Sequence, residues 1–504
     1  MRKITILLTL ATLLGFTTSC LDKYPENAIP SDKAINTLEE LDQAAIGVYS
    51  AFKSSALYSG YLTLLPDIQC DMVHAVNGYT NTYGNIWRWD ILSTNSEITA
   101  VYASLYNVIA CANFLLEYAP RVEATLTSDE EWEQYHQICG EAYFARALAY
   151  SELIKLYCKS YESSEQAENE LGVVIVTKYN SDEPIVRSSL QASYERVIAD
   201  LDMAAKLMDI DEKSLSGNIY NATYFNEYTV YALRARVALY MKDYEAAIEY
   251  SSKVIDSGYY LLSAANVEYT SGLSYFSYMW QYDAATEIIW KVGFTPNSYG
   301  GALGMVFFNY DYSSMKPDYV PSEWIFGLYE GDDLRYGNYF YTYTTGHSHG
   351  LTWPLLVKYF GNMDFYNQYI LHTSMPKPLR LAEQYLIRAE AYAEGRGNYA
   401  LAGEDIATLR EARYASFGGG VSLTADNAMR IIEEERIKEL YMEGFRLMDL
   451  KRWHKGFERT PQEQSIEQGS SLRVEADDPL FVWPIPQHEL EAPGAMIEPN
   501  DSNR

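Results

Sequence analysis

Two segments of the chain share one residue pattern, and this repeat limits the possible fold more than any other feature. Residues 228–258 read YTVYALRARVALYMKDYEAAIEYSSKVIDSG, and residues 385–413 read YLIRAEAYAEGRGNYALAGEDIATLREAR. Each segment has the apolar spacing of two helices joined by a short turn. Ala235 and Ala247 lie 12 residues apart in the first segment, and the equivalent alanines of the second lie 13 apart. Small residues at these positions let two helices cross closely, so each segment predicts a helix pair.

These pairs predict a mainly α fold on a tetratricopeptide-like scaffold. Such repeats stack side by side and bury apolar faces that one pair alone leaves exposed. Helical periodicity at residues 131–160 and 193–208 offers a third pair with an insertion between its helices. Two long segments, near residues 54–95 and 261–377, are instead rich in Tyr, Trp, Asn and Gly. We therefore expect an α-solenoid from which loop-rich excursions project.

The first 20 residues, MRKITILLTLATLLGFTTSC, have the pattern of a secretory signal. A basic start precedes an apolar run at residues 4–14 that is too short to span a bilayer as a helix. Small residues then lead to Cys20 in a lipobox-like site. We expect Cys20 to become the lipidated N-terminus of a single domain formed by residues 21–504. An ordinary secretory signal is the alternative, since Thr17 stands where Leu is usual.

Charge and aromatic content narrow the choice of partner. The 504 residues carry 68 Asp and Glu against 39 Lys and Arg, which gives a formal net charge of −29. A field of that sign repels phosphate backbones, so we expect no nucleic-acid partner. The chain also has 46 Tyr. Most of them should fill helix interfaces, while exposed ones would suit stacking on sugar rings or gripping peptides.

No motif marks a catalytic or metal centre strongly. The chain has no HExxH zinc motif and no P-loop. Its many carboxylates leave room for a glycosidase pair, but no motif singles one out. His347 and His349 form an H-x-H within a Gly-rich loop, where a solvated loop is favoured over a metal site. Asp333 is expected to pair with Arg335. We therefore predict no enzyme activity, no cofactor and no metal.

Residues 431–453, IIEEERIKELYMEGFRLMDLKRW, predict one amphipathic helix. Its apolar stripe holds Ile437, Leu440, Tyr441, Gly444 and Leu447. Glu439, Glu443 and Arg446 lie on another side, within reach of one another at helical spacing. A glycine inside a helix costs about 1 kcal/mol relative to alanine, so Gly444 indicates close approach by another element.

The pattern ER..EL..EG.R..DL.RW in this stretch resembles the C-terminal signature of the SusD/RagB family, which comprises outer-membrane lipoproteins of nutrient uptake in the Bacteroidetes. The ending FVWPIPQHEL at residues 481–490 resembles the family's WPIP..EL, and the matches span almost the whole mature chain. The resemblance implies a lid that captures a ligand over a SusC-like TonB-dependent transporter. It also implies a lipid anchor in the outer membrane, facing the cell surface.

In the family's glycan binders the two loop-rich excursions form the ligand-binding face. The candidates on this sequence are Tyr83, Trp87, Trp89, Tyr299, Tyr310 and Tyr312, with Asp71, Asn81, Asn85 and Arg88 as polar companions. Trp87 is the strongest candidate, because the turn-forming residues around it indicate a surface loop. Three functions remain open: an oligosaccharide-binding lipoprotein, a RagB-like peptide-binding lid, and a surface glycosidase.

Overall fold

Helices are the main secondary structure of the computed structural model, which describes residues 34–179, 184–208, 222–310, 314–343, 352–462 and 472–503. The first helices are α1 (Leu38–Ala51), α2 (Tyr61–Ile68), α3 (Gly84–Trp87), α4 (Ser96–Glu123), α5 (Asp129–Tyr157), α6 (Ser164–Asn169), α7 (Leu190–Leu207), α8 (Glu227–Tyr240), α9 (Tyr244–Ile255) and α10 (Tyr275–Tyr282). The others are α11 (Met305–Phe308), α12 (Glu323–Phe326), α13 (Arg335–Tyr339), α14 (Met363–Tyr366), α15 (Leu381–Arg396), α16 (Tyr399–Arg413), α17 (Ala428–Glu439), α18 (Arg446–Arg452) and α19 (Gln487–Leu490). Short 3-10 turns lie at Val357–Tyr359 and Pro479–Phe481.

The strands of the described residues are short and pair two by two. They are β1 (Val73–Ala75), β2 (Leu171–Val174), β3 (Arg187–Ser189), β4 (Glu268–Thr270), β5 (Leu273–Ser274), β6 (Ile288–Trp290), β7 (Tyr319–Pro321), β8 (Phe340–Tyr341), β9 (Leu355–Leu356), β10 (Leu379–Arg380), β11 (Phe457–Arg459) and β12 (Leu472–Val474). All pairs are antiparallel: β1 with β7, β2 with β3, β4 with β5, β6 with β10, β8 with β9, and β11 with β12.

Three helix pairs stack in sequence order to form the scaffold. α5 packs on α7, α8 on α9, and α15 on α16, while α7 contacts α8 and α9 contacts α15. Ala235, Ala247, Ala389 and Ala402 are fully buried, as expected at close helix crossings. The prediction of a mainly α, tetratricopeptide-like scaffold is therefore confirmed, including the third pair with its insertion.

Helix α4 packs along α1 and α5 at one end of this stack. Among the described helices it alone is long and apolar enough to cross a bilayer, but half of its most apolar window is buried inside the molecule. It also continues to Glu123 through Pro120. Pro120 lies in the last turn of the helix, so it removes only one hydrogen bond there.

The two excursions are joined by a short antiparallel β-ladder, and they share a hydrophobic core that is distinct from the core between the scaffold helices. β1 pairs with β7, with His74 opposite Val320, so the segment before residue 95 joins the segment after residue 261. Trp87, Phe307, Tyr319 and Tyr441 belong to this second cluster of buried residues. The excursions thus form one layer that is held together by this ladder and by a shared buried core.

The stretch at residues 431–453 is two helices and not one. α17 ends at Glu439, and α18 begins at Arg446. Gly444 has a φ of +84°, and a Cβ placed there would lie 2.4 Å from the backbone oxygen of Leu62 in α2. The predicted close approach is correct, but the backbone turns at this point. Asp67 caps α18 by accepting hydrogen bonds from the backbone N–H groups of Gly444 and Arg446.

Glu439 and Glu443 both bind Arg380, whereas Arg446 binds Asp71 and Glu433. The three side chains therefore do not form one network with each other along an edge. Glu439 is fully buried and accepts hydrogen bonds from three guanidinium groups, those of Arg335, Arg380 and Arg413. Burial alone would raise the pKa of the Glu439 carboxyl, but these three cations hold it well below its usual value.

This buried network ties the long excursion to the scaffold. Glu287 of the excursion binds Arg380 at 2.7 Å and Arg413 at 2.8 Å, both from the scaffold side. Arg335 binds Asp333 at 2.7 Å, which confirms the expected pair, and it also binds Glu435 of α17. The network fixes where the excursion sits on the helices, because each buried charge must keep its partner.

Candidate ligand-binding site

A short polar loop between β1 and α4 holds several of the predicted site residues. Arg88 donates hydrogen bonds from Nη1 to Asn81 Oδ1 at 2.8 Å and to the Tyr79 hydroxyl, and from Nη2 to Asn85 Oδ1 at 2.8 Å. Asn81 and Asn85 are exposed and Arg88 is half-buried. A Cβ at Gly84 would lie 2.1 Å from Asn81 Oδ1, so only glycine fits inside this closed loop. We call Tyr79, Asn81, Asn85 and Arg88 the Arg88 loop.

Trp87 does not lie at this surface, so its assignment as the leading ligand-stacking residue is wrong. Its side chain is completely buried, and its indole N–H donates to the Val73 carbonyl at 3.3 Å. The Arg459 guanidinium lies 4.6 Å from the centre of its ring. The turn-forming neighbours do make a surface loop, but α3 directs Trp87 inward to support it.

Asp71 is also a structural residue. It is 6% exposed, and both of its carboxylate oxygens accept hydrogen bonds from Arg446, at 2.9 Å and 2.8 Å. A carboxylate engaged in this way by a buried guanidinium has no free oxygen edge for a ligand. Trp324, in contrast, is 38% exposed, with its N–H bound to the Asp71 carbonyl.

Tyr83 and Trp89 are half-buried and point to different neighbours. The Tyr83 ring makes an edge contact with Tyr61, at 5.6 Å between ring centres. The Trp89 N–H donates to Asp478 at 3.3 Å, and its ring packs on Phe457 and Phe481. Trp89 therefore faces the C-terminal segment, away from the Arg88 loop.

The long excursion presents a group of aromatic side chains centred on Phe360. Tyr310 lies 6.3 Å from the Phe360 ring, Tyr343 lies 6.4 Å away in a stacked orientation, and Tyr366 lies 5.5 Å away. Tyr341 contacts Tyr343 at 4.9 Å and is 54% exposed. Burial and three neighbouring tyrosines raise the pKa of Tyr343 to about 12. We call Tyr310, Tyr341, Tyr343, Phe360 and Tyr366 the aromatic cluster.

His372 fixes the chain at this cluster. The backbone N–H of Tyr310 donates to His372 Nε2 at 3.1 Å, and the His372 ring stacks on Phe308 at 5.7 Å. A Cβ at Gly304 would lie 1.8 Å from the Tyr359 carbonyl oxygen, so the two segments touch backbone to backbone. The half-exposed rings are therefore mounted on a rigid base.

The segment that leads into β7 connects the aromatic cluster to the Arg88 loop. Asp318 precedes β7 and accepts hydrogen bonds from the Thr80 backbone at 2.7 Å and the Thr80 hydroxyl at 2.8 Å. Two residues earlier, the Lys316 N–H binds the Phe308 carbonyl beside Tyr310. Both groups also pack on the same buried core. The structure thus brings Tyr310 onto the same layer as Asn81, Asn85 and Arg88.

Of the remaining residues singled out from the sequence, one is placed by the structure and the others lie outside the described residues. Tyr299 is 47% exposed and follows a turn held by Lys53, whose ammonium binds Ser298 at 2.9 Å. No contact described here joins Tyr299 to the aromatic cluster. Tyr312, Cys20, His347 and His349 lie outside the described residues. Tyr341, Tyr343, Phe360 and Tyr366 were not singled out from the sequence, although the excursion that carries them was.

Two parts of the chain place a serine next to a histidine, as some catalytic sites do. Ser322 lies 3.0 Å from His74 Nδ1, but both residues are buried, and His74 Nε2 binds the Thr460 carbonyl. Residues 346–350, GHSHG, fit the letters of the G-x-S-x-G nucleophile elbow and lie outside the described residues. That elbow requires a helix directly after the serine, and Pro354 would interrupt one.

Two cavities near the C-terminal segment have His454 in their lining. The ring Nδ1 of His454 is 2.7 Å from Asp477, and Nε2 is 3.0 Å from Glu162. Because carboxylates only accept hydrogen bonds, a ring that carries a proton on both nitrogens pairs best with these two neighbours. The hydrogen bond to Asp477 raises the pKa of His454 above its usual value of 6.5, and Glu162 adds to this against the opposing effect of burial.

We expect the His454 bridge to make stability depend on pH. A raised folded-state pKa gives a contribution that is fully present below the unfolded pKa and is lost as the pH rises through the folded pKa. An NMR titration of the His454 ring should give a midpoint above that of an unfolded histidine. The fall in melting temperature across that pH range should shrink in His454→Gln. A midpoint below 6.5 would show that the bridge does not form.

Comparison with known proteins agrees with the fold and the signature. Residues 19–239 match a family described as "Starch-binding associating with outer membrane", and residues 328–501 match the SusD family. No curated protein sequence is significantly similar to the chain.

Solved structures agree over nearly the full length. A SusD superfamily protein from Bacteroides thetaiotaomicron has a TM-score of 0.77 at 22% identity, over 92% of this chain and 99% of that one. A SusD-like carbohydrate binding protein from Bacteroides vulgatus has a TM-score of 0.69 at 19% identity, over 92% of this chain and 98% of that one. From the two sequence matches and this common fold, the chain belongs to the SusD family.

Proposed function

We propose that this protein is a carbohydrate-binding lipoprotein that captures oligosaccharides and delivers them to a SusC-like TonB-dependent transporter. The observation that carries the proposal is the aromatic cluster beside the Arg88 loop. A sugar ring has apolar C–H faces that stack on tyrosine, and hydroxyls that bind amides and guanidinium groups. The surface offers both kinds of group on one layer.

The rigid base of the cluster favours binding. Phe360, Phe308 and His372 pack beneath the tyrosines, so little side-chain freedom is lost when a ligand binds. Arg88 likewise holds Asn81 and Asn85 in one arrangement while their amide N–H groups stay exposed. A preformed surface of this kind suits an extended polar ligand.

The sequence and the family also bear on where in the cell the protein acts. We propose that Cys20 is lipidated and anchors residues 21–504, as one SusD-like domain, to the outer membrane at the cell surface. The ordered scaffold then positions the ligand-binding face over the transporter. The family matches, one of which refers to the outer membrane in its description, support this location.

Peptide binding is the alternative for the same surface, and it predicts a different recognition mode. An extended peptide is held mainly by backbone hydrogen bonds along a strand edge. The aromatic cluster is made of ring faces and hydroxyls, which favours the glycan. We propose no catalytic step, because the Ser322–His74 pair is enclosed and no carboxylate pair is marked for glycoside hydrolysis.

Replacing Tyr310 with alanine should weaken oligosaccharide binding by about 1–3 kcal/mol, by analogy with the loss when a nucleic-acid base no longer stacks on a protein aromatic. Isothermal titration of residues 21–504 with a panel of oligosaccharides and a pool of peptides would first identify the ligand. The variant would then be titrated with that ligand. Tyr259→Ala, at a tyrosine that is 50% exposed next to Tyr228, serves as the control.

Heat from one glycan class that falls in Tyr310→Ala and not in Tyr259→Ala supports the proposal. Heat from peptides alone would replace it with the peptide-binding alternative. Equal affinity in both variants would remove the aromatic cluster as the binding site, whatever the ligand.

A further inference from the structure

Arg88 is a positive charge without a carboxylate partner on a strongly acidic protein. Its three hydrogen bonds go to the neutral oxygens of Tyr79, Asn81 and Asn85. No ion pair of Arg88 occurs among the described residues, although the chain has 68 Asp and Glu. Neutral acceptors fix the orientation of the guanidinium group but leave its charge uncompensated, because arginine does not lose its proton in proteins.

Part of this guanidinium group is available to a ligand. Of the five N–H groups of an arginine, Arg88 uses two from Nη1 and one from Nη2 within its loop. Nε–H and the second N–H of Nη2 have no partner among the described residues, and Nε stays in contact with solvent. The bonds to Asn81 and Asn85 also lie at the surface. Two N–H groups on neighbouring nitrogens match the two oxygens that a carboxylate or a sulfate presents.

The segments that build the ligand-binding surface contain no carboxylate. Residues 72–89 form the Arg88 loop and its support, and residues 292–310 and 334–363 supply most of the aromatic cluster. None of these segments contains Asp or Glu, whereas the whole chain has 68 in 504 residues. The negative charge of the protein is therefore concentrated away from the segments that present Arg88 and the tyrosines.

Charges on the neighbouring segments do not reverse this pattern. Asp318 is 4% exposed, and both of its oxygens accept hydrogen bonds from Thr80. Asp364 is exposed at the start of α14, while Lys316 is exposed on the segment that leads into β7. Interactions between exposed charges are largely screened beyond about 8 Å at physiological salt. The net charge of −29 therefore does not prevent an anionic group from binding at Arg88.

We propose that Arg88 is a specificity-determining residue, and that the captured oligosaccharide carries an acidic group, either a uronate carboxylate or a sulfate. Because it needs a sugar ligand at this surface, this assignment rests on the proposed function. The tyrosines stack on the sugar rings, and Arg88 binds the acidic group through its two remaining N–H groups. Charge thus adds a selection that amides and ring faces alone do not provide.

Isothermal titration with oligogalacturonate and with its methyl ester tests the proposal, because the ester removes the charge and keeps the sugar chain. We expect the acid to bind about tenfold to 100-fold more tightly than the ester, the effect of hydrogen bonds to a charged group. Sulfated galactan oligomers and their desulfated counterparts form a second arm, which separates a sulfate ligand from a carboxylate ligand. Raising the salt concentration should weaken binding of the acid and leave binding of the ester unchanged.

Arg88→Gln should remove the preference for the acidic ligand and keep the affinity for its neutral counterpart close to that of the wild type. If Arg88 only held the loop in shape, the variant would weaken both ligands alike, which would overturn the proposal. Arg396→Gln is the matched control for the loss of one positive charge, since Arg396 is exposed on the scaffold and pairs with Glu245. It should retain the full preference.

The titrations also separate failure of this assignment from failure of the proposed function. Binding of a neutral oligosaccharide as tightly as its acidic counterpart, or binding of neutral sugars alone, would overturn the role of Arg88 and leave a glycan-binding protein. Binding of peptides and of no oligosaccharide would overturn both. If Arg88→Gln does not fold, the wild type decides, because an affinity for the acid that is independent of salt would overturn the proposal.

Discussion

Replacement of Trp87 by alanine is expected to lower the free energy of unfolding by about 3–5 kcal/mol, the usual cost of truncating a buried aromatic side chain. The side chain is completely enclosed, and it contacts Tyr79 and Tyr319 at 6.2 Å and 6.3 Å between ring centres. Its loss would open a cavity under the Arg88 loop. Urea denaturation followed by far-UV circular dichroism would measure the change.

A second variant distinguishes a structural role from a ligand contact. Trp87→Phe keeps most of the apolar volume, so it should fold and retain the affinity of the wild type for any ligand of the aromatic cluster. Tyr341→Ala provides the opposite case, since its side chain is 54% exposed and its removal should affect stability little. If the Trp87→Phe protein had normal stability but did not bind the ligand, Trp87 would have to be a ligand-contacting residue after all.

Glu439→Gln should destabilise the protein by about 3–5 kcal/mol, the cost of removing one partner from a buried ion pair. Glutamine has nearly the same shape, so the effect reports lost charge and not lost packing. Arg335, Arg380 and Arg413 would then share fewer carboxylates in a fully buried site. Chemical denaturation of the variant would show a lower midpoint.

Glu434→Gln is the matched control on the same helix. Glu434 pairs with Arg430 one turn earlier, and both side chains are exposed. Exposed pairs of this type contribute only about 0.3–0.5 kcal/mol. If Glu439→Gln were as mild as Glu434→Gln, the buried network would not be what holds the excursion on the scaffold.

The network also explains why the signature at residues 431–453 identifies the fold and not the ligand. Its charged positions bind groups inside the molecule: Glu439 meets Arg413, and Arg446 meets Asp71. None of these contacts reaches the Arg88 loop or the aromatic cluster directly. Different loops can therefore be carried on the same scaffold.

The sequence alone determined the scaffold and its limits. Alanine spacing predicted the helix pairs, because close crossings require small residues wherever they occur. Turn-rich segments located both excursions, and Gly444 marked a close approach. These properties depend on neighbours along the chain, which the sequence displays directly.

Only the tertiary structure decided which aromatics are exposed and which charges are paired. Trp87 and Tyr310 lie in similar turn-rich segments, yet one is enclosed by Arg459 and Tyr319, while the other reaches the aromatic cluster. Glu439 meets Arg335, which is 104 residues away in the chain. Burial and ion pairing depend on contacts between distant segments, and no local pattern records them.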